Sequence, residues 1–443
     1  MINLFERVDE ASKLLLSSLR KAGYNQPTIF LEDDGYLPAQ TTSPYTFFLK
    51  KAGAKMTGKP LYFNQVTVPD YWEIKGSLKR AEVTNYNRQA AIIHYKDGFN
   101  QGRLVAKVEW KDNNGLIRLT EHYNQYGWCF KKTLYAADGS IKQISYQTQQ
   151  GKEVIREDKP SGLITLYFQG KTYLFRNLAS FTIFFLRQAG YQLDKIWYNS
   201  LSTPLFVIMG LPEAGMDTLF WQEGSRKQLP ENMAFILRSL PRRKTRICIT
   251  EKDAYESFNR LVKPAEQSRL TYLGYDYDYK RQNQGQKQAL IMTNSDQIAH
   301  LKNLVESLPE MTFNIAAITE MSPKLLAFAK YPNVKLYPNV NRQQVKDLWQ
   351  VNDYYLDINY QNEILLATQQ AFLNQMLILG FVETSHTNKW GLSSNRYYLK
   401  DYQQLIIKLR QLITSPELLE REIFLQKQAA EQTSSAYYRE ILN

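Results

Sequence analysis

Hydrophobic positions along this chain fall into three textures. Leu4, Val8, Ala11, Leu15, Leu19 and Ala22 recur at helical spacing before Gly23, so the pattern predicts an opening amphipathic helix, followed by a strand over residues 28–31. From about residue 59 to 175, stretches rich in Val, Ile, Tyr, Phe and Trp alternate with turn signals at Lys96-Asp97-Gly98, Asp112-Asn113-Asn114-Gly115, Tyr126-Gly127, Asp138-Gly139 and Gln169-Gly170. That spacing, with two-residue alternation over 104–110 and 141–146, predicts an antiparallel meander. After Arg176 the pattern returns to a helix over 178–189, strands over 205–209 and 246–249, and a helix over 254–261. The meander therefore reads as an insertion in a first α/β domain.

A polar stretch, Gln282 to Lys287, reads as a linker, and a second alternating series begins after it. It predicts strands over 289–293, 313–317, 334–337, 354–358 and 379–383, separated by helices over 298–308, 323–330, 342–349 and 365–378. Strands joined by single helices imply a parallel sheet covered on both faces. The tail is helical in pattern, broken at Thr414-Ser415-Pro416. The expected organisation is a split first Rossmann-like domain (1–58 and 171–284), an inserted sheet domain (59–170), a second Rossmann-like domain (285–398) and C-terminal helices (399–443).

With 44% hydrophobic residues the chain can bury several cores, and no run reaches the roughly 18 to 20 apolar residues that span a bilayer. The opening residues lack the basic-then-apolar order of an export signal, so residence in the cytoplasm is expected. Cys129 and Cys248 lie far apart with no clustered His, which predicts buried, reduced thiols and no metal site. The net charge of +12 suits an anionic partner of any kind. Its densest run, Pro241-Arg242-Arg243-Lys244-Thr245-Arg246, reads either as a solvated strand-entry loop or as a contact with phosphate or the inner membrane face. Asp276-Tyr277-Asp278-Tyr279 reads as an exposed strand or loop rather than a metal site, and no motif supports nucleic-acid binding.

Two α/β domains facing each other across a cleft, with a late helical tail, resemble the GT-B architecture of nucleotide-sugar glycosyltransferases. In the retaining branch of that family, two glutamates about seven residues apart grip the sugar and the nucleotide ribose. Here they align with Asn362 and Gln370, so both acids appear as amides; Glu363 lies one place out of register. The family's small Gly-x-Pro turn is replaced by Gln375-Met376-Leu377. The loop 293–300 supplies no cation before His300 for a diphosphate, and Asp296 would repel one. His94, His122, His300 and His386 are scattered and read as surface or satisfied core residues. The resemblance therefore implies a pseudoenzyme with no catalytic residue and no cofactor. The rival, an active retaining GT-B glycosyltransferase using UDP-N-acetylglucosamine, predicts product formation by the isolated chain.

Met1-Ile2-Asn3-Leu4-Phe5, Leu19-Arg20-Lys21-Ala22-Gly23-Tyr24, the stretch from Pro27 to Pro38, and Ser43-Pro44-Tyr45 resemble, in order, the glycosylation-stabilising subunit of the accessory Sec system of streptococci and lactobacilli. The resemblance implies a non-catalytic, chaperone-like subunit that binds a serine-rich repeat adhesin and stabilises a catalytic N-acetylglucosaminyltransferase before export. It implies a heterodimer or heterotetramer assembled through the inserted β domain, in the cytoplasm or peripheral to the inner membrane face. Candidate acceptor contacts are Asp33, Asp34, Asn294, Ser295 and Glu320, polar groups after strands, for which turn capping is the alternative role.

Overall fold

The structure, a computed structural model, describes residues 1–77, 79–96, 102–238, 242–386 and 388–443. The predicted turn at Asp97-Gly98 and Pro241 of the basic run lie outside the described residues. Residues 1–274 with 438–443 form one compact unit, and residues 275–437 form a second.

The first unit opens with a strand, β1 (Ile2–Phe5), not with the predicted helix. All four of its residues are buried, the state of a strand inside a parallel sheet, and the one polar member, Asn3, donates to Thr28 Oγ1 at 2.9 Å. The helix begins only at Glu10, where Asp9 caps it by accepting from Ser12 N at 2.8 Å. Strands β2 (Thr28–Phe30) and β3 (Thr41–Thr42) follow. After the insertion come β14 (Ile196–Tyr198), β15 (Gly215–Trp221), β16 (Arg243–Ile249) and β17 (Leu270–Tyr272), giving a parallel sheet in the order β17-β16-β15-β14-β1-β2-β3. The predicted strand over 205–209 is a helix, Thr203–Met209, with Pro204 in its first turn and Gly210 at its C-cap. Leu205, Val207 and Ile208 are buried and Phe206 faces out, a helical stripe hidden in a nearly uniform apolar run.

The insertion is a ten-stranded antiparallel sheet in sequential order. Its strands are β4 (Glu73–Gly76), β5 (Arg80–Asn85), β6 (Arg88–Tyr95), β7 (Val105–Lys111), β8 (Ile117–Tyr123), β9 (Cys129–Tyr135), β10 (Ile141–Gln147), β11 (Glu153–Asp158), β12 (Ile164–Phe168) and β13 (Lys171–Phe175). One face of its later half joins the first unit's main core: Tyr146, Ile155 and Leu166 pack with Tyr45, Phe48 and Phe181 from helices Pro44–Lys51 and Leu178–Gln188. Tyr45 stacks on Tyr146 at 4.0 Å between ring centroids, and its hydroxyl donates to Glu157 Oε1 at 2.7 Å. The earlier half has a separate core, Val66, Ala81, Val83, Ala91, Ile93, Val105 and Val108. Cys248 is buried and Cys129 half-buried; both are free thiols, and burial pushes each up to about 12.

The basic run is not a solvated loop throughout. Arg243 begins β16, is buried, and forks onto Asp217 with two bonds of 2.7 Å. Alternation along the strand then leaves Lys244 and Arg246 on the other, open face.

The second unit carries β18 (Gln288–Thr293), β19 (Thr312–Ala317), β20 (Val334–Tyr337), β21 (Tyr354–Asp357), β22 (Leu377–Phe381) and β23 (Arg396–Tyr397), all parallel, in the order β20-β19-β18-β21-β22-β23. Helices Tyr402–Thr414 and Pro416–Ala429 pack on it through Leu405, Leu409, Leu412, Leu419 and Ile423. The predicted linker is pinned rather than loose: buried Asp353 pairs with Arg281 and accepts the backbone N–H of Gln284 and Gln286. Asp276 and Tyr277 are buried, not exposed, and Tyr277 donates to Ala430 O. The final helix, Ser435–Leu442, returns to the first unit, where buried Tyr438 donates to Gly274 O at 2.7 Å and Lys195 donates to Leu442 O at 3.2 Å. No described helix is long and apolar enough to cross a membrane.

Candidate donor and acceptor sites

In an open α/β sheet, ligands sit beyond the carboxyl ends of the strands. In the second unit that edge holds the segment 359–372, in which the sequence places the candidate donor positions Asn362 and Gln370. After β21, buried Asn359 bonds to Thr293 Oγ1 at 3.1 Å and to Gln361 O at 3.0 Å. The chain then passes through Leu365 and Leu366, both left-handed (φ 58° and 53°), into helix Ala367–Leu373. That short helix replaces most of the predicted 365–378, because its end is set by Gln375 at φ 53°, after which β22 starts.

Gln370 lies in this helix and is half-buried; Asn362 is exposed in the loop before it. Glu363, the one nearby carboxylate, accepts from Thr368 N at 2.7 Å and Thr368 Oγ1 at 2.6 Å. It thus caps the helix N-terminus from within the chain. A negative charge already sits where the N–H groups and the helix dipole would favour a phosphate.

Sequence reasoning missed a second fixture here. His386 holds Asp357, the last residue of β21: its backbone N donates to Asp357 Oδ2 at 2.9 Å and its Nδ1 bonds Asp357 Oδ1, while Nε2 bonds Gln361 O at 2.6 Å. The bond to Asp357, opposed by partial burial, raises the imidazole to about 9. The pair with Asp357 thus favours the charged imidazole at neutral pH, the form that carries no free lone pair. The two residues lie 29 apart in the chain, and no motif links them.

On the same sheet, three predicted acceptor residues come together. Asn294, Ser295 and Glu320 line one depression of about 250 Å³ with Asp296 and Ser322. Ser295 is engaged in the turn, its Oγ accepting from Gln297 N at 3.0 Å, and Asp296 accepts from Ser322 Oγ at 2.9 Å. Asn294 and Glu320 are exposed.

In the first unit, Asp33 and Asp34 follow β2. Asp33 is buried and fully engaged: Oδ1 accepts from Gly35 N at 2.8 Å, and Oδ2 from Ser43 Oγ at 2.5 Å and Thr46 Oγ1 at 2.7 Å. Ser43 in turn caps its helix through Thr46 N. Asp34 accepts from Tyr36 N at 2.9 Å and Lys96 Nζ at 2.6 Å. Asp33, but not Asp34, lines a cavity of about 340 Å³ together with Gln40, Lys50, Gln125 and Trp128. Gly35 permits that wall, since a Cβ there would lie 2.8 Å from Asn124 Cα. No group of three or more His, Cys, Asp or Glu able to hold a metal ion occurs among the described residues.

Two parallel α/β sheets, the first interrupted by an antiparallel sheet, place the chain in the GT-B-like class of glycosyltransferase folds. The similarity to known proteins is specific. Family models for the GtfB N-terminal domain match residues 2–48, the GtfB middle domain 72–176, the GtfB third domain 179–261 and the GftB/GlyA-F C-terminal domain 289–428. The UDP-N-acetylglucosamine–peptide N-acetylglucosaminyltransferase stabilizing protein GtfB of Streptococcus agalactiae is 39% identical over all of this chain and 99% of its own length. Its Limosilactobacillus reuteri counterpart is 36% identical over all of this chain and 99% of its own length. A chain in the crystal structure of a GtfA/B complex bound to UDP and GlcNAc matches with TM-score 0.93 and 38% identity, covering 100% of this chain and 99% of that one. The pneumococcal O-GlcNAc transferase GtfA, at 14% identity and TM-score 0.52, shares the fold alone over 99% of this chain and 96% of its own. The chain belongs to the GtfB family of stabilising proteins.

Proposed function

We propose that this chain is a non-catalytic subunit of a protein O-glycosyltransferase complex: it stabilises a catalytic N-acetylglucosaminyltransferase and binds the serine-rich repeat adhesin that the enzyme modifies before export. The full-length identity of 39% to a transferase-stabilising protein carries the first half of this reading. The donor edge supports absence of catalysis. Asn362 and Gln370 are amides, Glu363 is engaged by Thr368, and His386 is held as a cation by Asp357.

Assembly runs through the inserted sheet. By register, Leu134, Tyr167 and Leu174 share the face opposite Tyr146 and Leu166, and all three are exposed, Leu174 by 64%. Apolar side chains on an uncovered sheet face, beside the open edge of β13, suit a partner's surface and account for partner stabilisation by burial. The acceptor binds at the depression lined by Asn294, Ser295 and Glu320, whose amide, hydroxyl and carboxylate can pair with serine hydroxyls and backbone amides; Asp33 and Asp34 contribute by holding the loop beside the other cavity.

The test is transfer from UDP-N-acetylglucosamine to a serine-rich peptide by this chain alone, by the catalytic partner alone, and by the two mixed. Efficient transfer only in the mixture, with peptide binding but no product from this chain alone, is the expected result. Product from this chain alone would restore the active-transferase reading.

A further inference from the structure

The charge of this protein is one-sided. All of the net +12 lies in the unit of residues 1–274 and 438–443, and residues 275–437 sum to zero. Within the first unit, a cavity of about 240 Å³ at the amino ends of β15 and β16 is lined by Lys195, Lys244, Arg246 and Arg269, with Ser268 beside them. It lies at the opposite edge of the sheet from Asp33 and Asp34, which follow a strand's carboxyl end.

None of the four cations has a carboxylate partner among the described residues. Lys195 donates to Leu442 O and lies 5.5 Å from the centroid of the Trp197 ring. Arg269 donates to the carbonyls of Thr245, Leu237 and Ile236, which orient its guanidinium, while the acid that acts on it from a distance, Glu266, is bonded to Arg238. Lys244 and Arg246 point off one face of β16 with no side-chain partner among the described residues. The acidic side chain that lines the cavity, Asp217, is already matched by Arg243 through two 2.7 Å bonds, and the carbonyl end of helix Ser435–Leu442, with Asn443 after it, forms a further polar wall, where Lys195 is bonded. Four like charges around one hollow repel one another, and an anion there relieves that repulsion.

We propose that this cavity is a phosphoryl-anion site, in which the Arg246 guanidinium and the Lys244 and Lys195 ammonium groups grip one tetrahedral phosphate. Guanidinium forks and lysine point charges converging on a concave site match the oxygens of a phosphate better than a planar, singly charged carboxylate. The phosphate belongs either to a free phospho-compound or to an anionic lipid headgroup. The site is independent of the acceptor reading, so failure of transfer in the mixed assay leaves it standing.

The experiment titrates the full chain with pyrophosphate by calorimetry at low salt, and in parallel sediments it with vesicles of phosphatidylcholine with and without phosphatidylglycerol. Lys244→Gln/Arg246→Gln is compared with Lys142→Gln/Lys152→Gln, which removes two exposed charges elsewhere in the same unit. Saturable binding in at least one arm, weakened tenfold or more by the first pair and less than twofold by the second at unchanged melting temperature, is the expected result. Pyrophosphate binding assigns a free phospho-compound, and binding only to phosphatidylglycerol vesicles assigns a lipid. No saturable binding in either arm, or equal losses from both pairs, overturns the proposal.

Discussion

The carboxyl edges of the two parallel sheets carry acids in comparable places and employ them in opposite ways. In the first unit, Asp33 is buried under three hydrogen bonds and Asp34 is tied to Lys96. In the second, Glu320 stands exposed at a depression while Glu363 is turned back onto its own helix. An acid after a strand is thus not a ligand contact by position alone. What decides is whether the local backbone and hydroxyls have already saturated its oxygens.

The strongest way to break this comparison is Asp33→Ala. It strands Gly35 N, Ser43 and Thr46 together in a buried site, and a loss of about 3 to 5 kcal/mol is expected, read by chemical denaturation. Loss of peptide binding with stability intact would put Asp33 among the contact residues instead. Tyr45→Phe tests the neighbouring buried network: Glu157 loses a donor, and about 1 to 2 kcal/mol of stability should go with it. Glu363→Gln weakens the cap on helix Ala367–Leu373, costing about 1 kcal/mol, and should create no sugar-nucleotide hydrolysis. Hydrolysis by that variant would show a latent donor site.

His386 adds a pH dependence confined to the second unit. Its folded value of about 9 exceeds the unfolded value near 6.5, so its contribution is complete below about 6.5 and is lost as pH rises through about 9. Thermal melting should therefore fall more between pH 7 and pH 9.5 in the parent than in His386→Gln, and equal slopes would remove the pair with Asp357 from the account. Smallest in stability is Glu320→Ala, within about 0.5 kcal/mol of the parent, with the effect appearing instead as weakened binding of a serine-rich peptide.

The inserted sheet was legible because its strands are short, half-buried and closed by turn residues such as Asp138-Gly139, where Gly139 takes φ 83°. Strands β18 to β21 were legible because each apolar run is bounded by a polar stretch. Two elements failed for a common reason: Leu4 happens to fall in helical phase with Val8, and 205–209 offers almost no polar position to mark a period, so the buried faces were invisible. In the second case Pro204 and Gly210 were the overlooked signals. At the candidate sites, the amides Asn362 and Gln370 and the clustering of Asn294, Ser295 and Glu320 after strands lie on the surface of the sequence pattern. The bonds that engage Glu363, Asp357 and Arg243 do not, because His386 and Asp217 reach their partners only through the fold.

The return of the last helix to the first unit governs the order in which the protein can be completed. Tyr438 is wholly buried in a unit whose remaining residues, apart from 439–443, all precede position 275, so a ribosome must finish the entire intervening unit before that place is filled. During synthesis the bonds that tie Tyr438 to Gly274 O and Lys195 to Leu442 O are among the last the first unit can make, so its completion follows translation of the second.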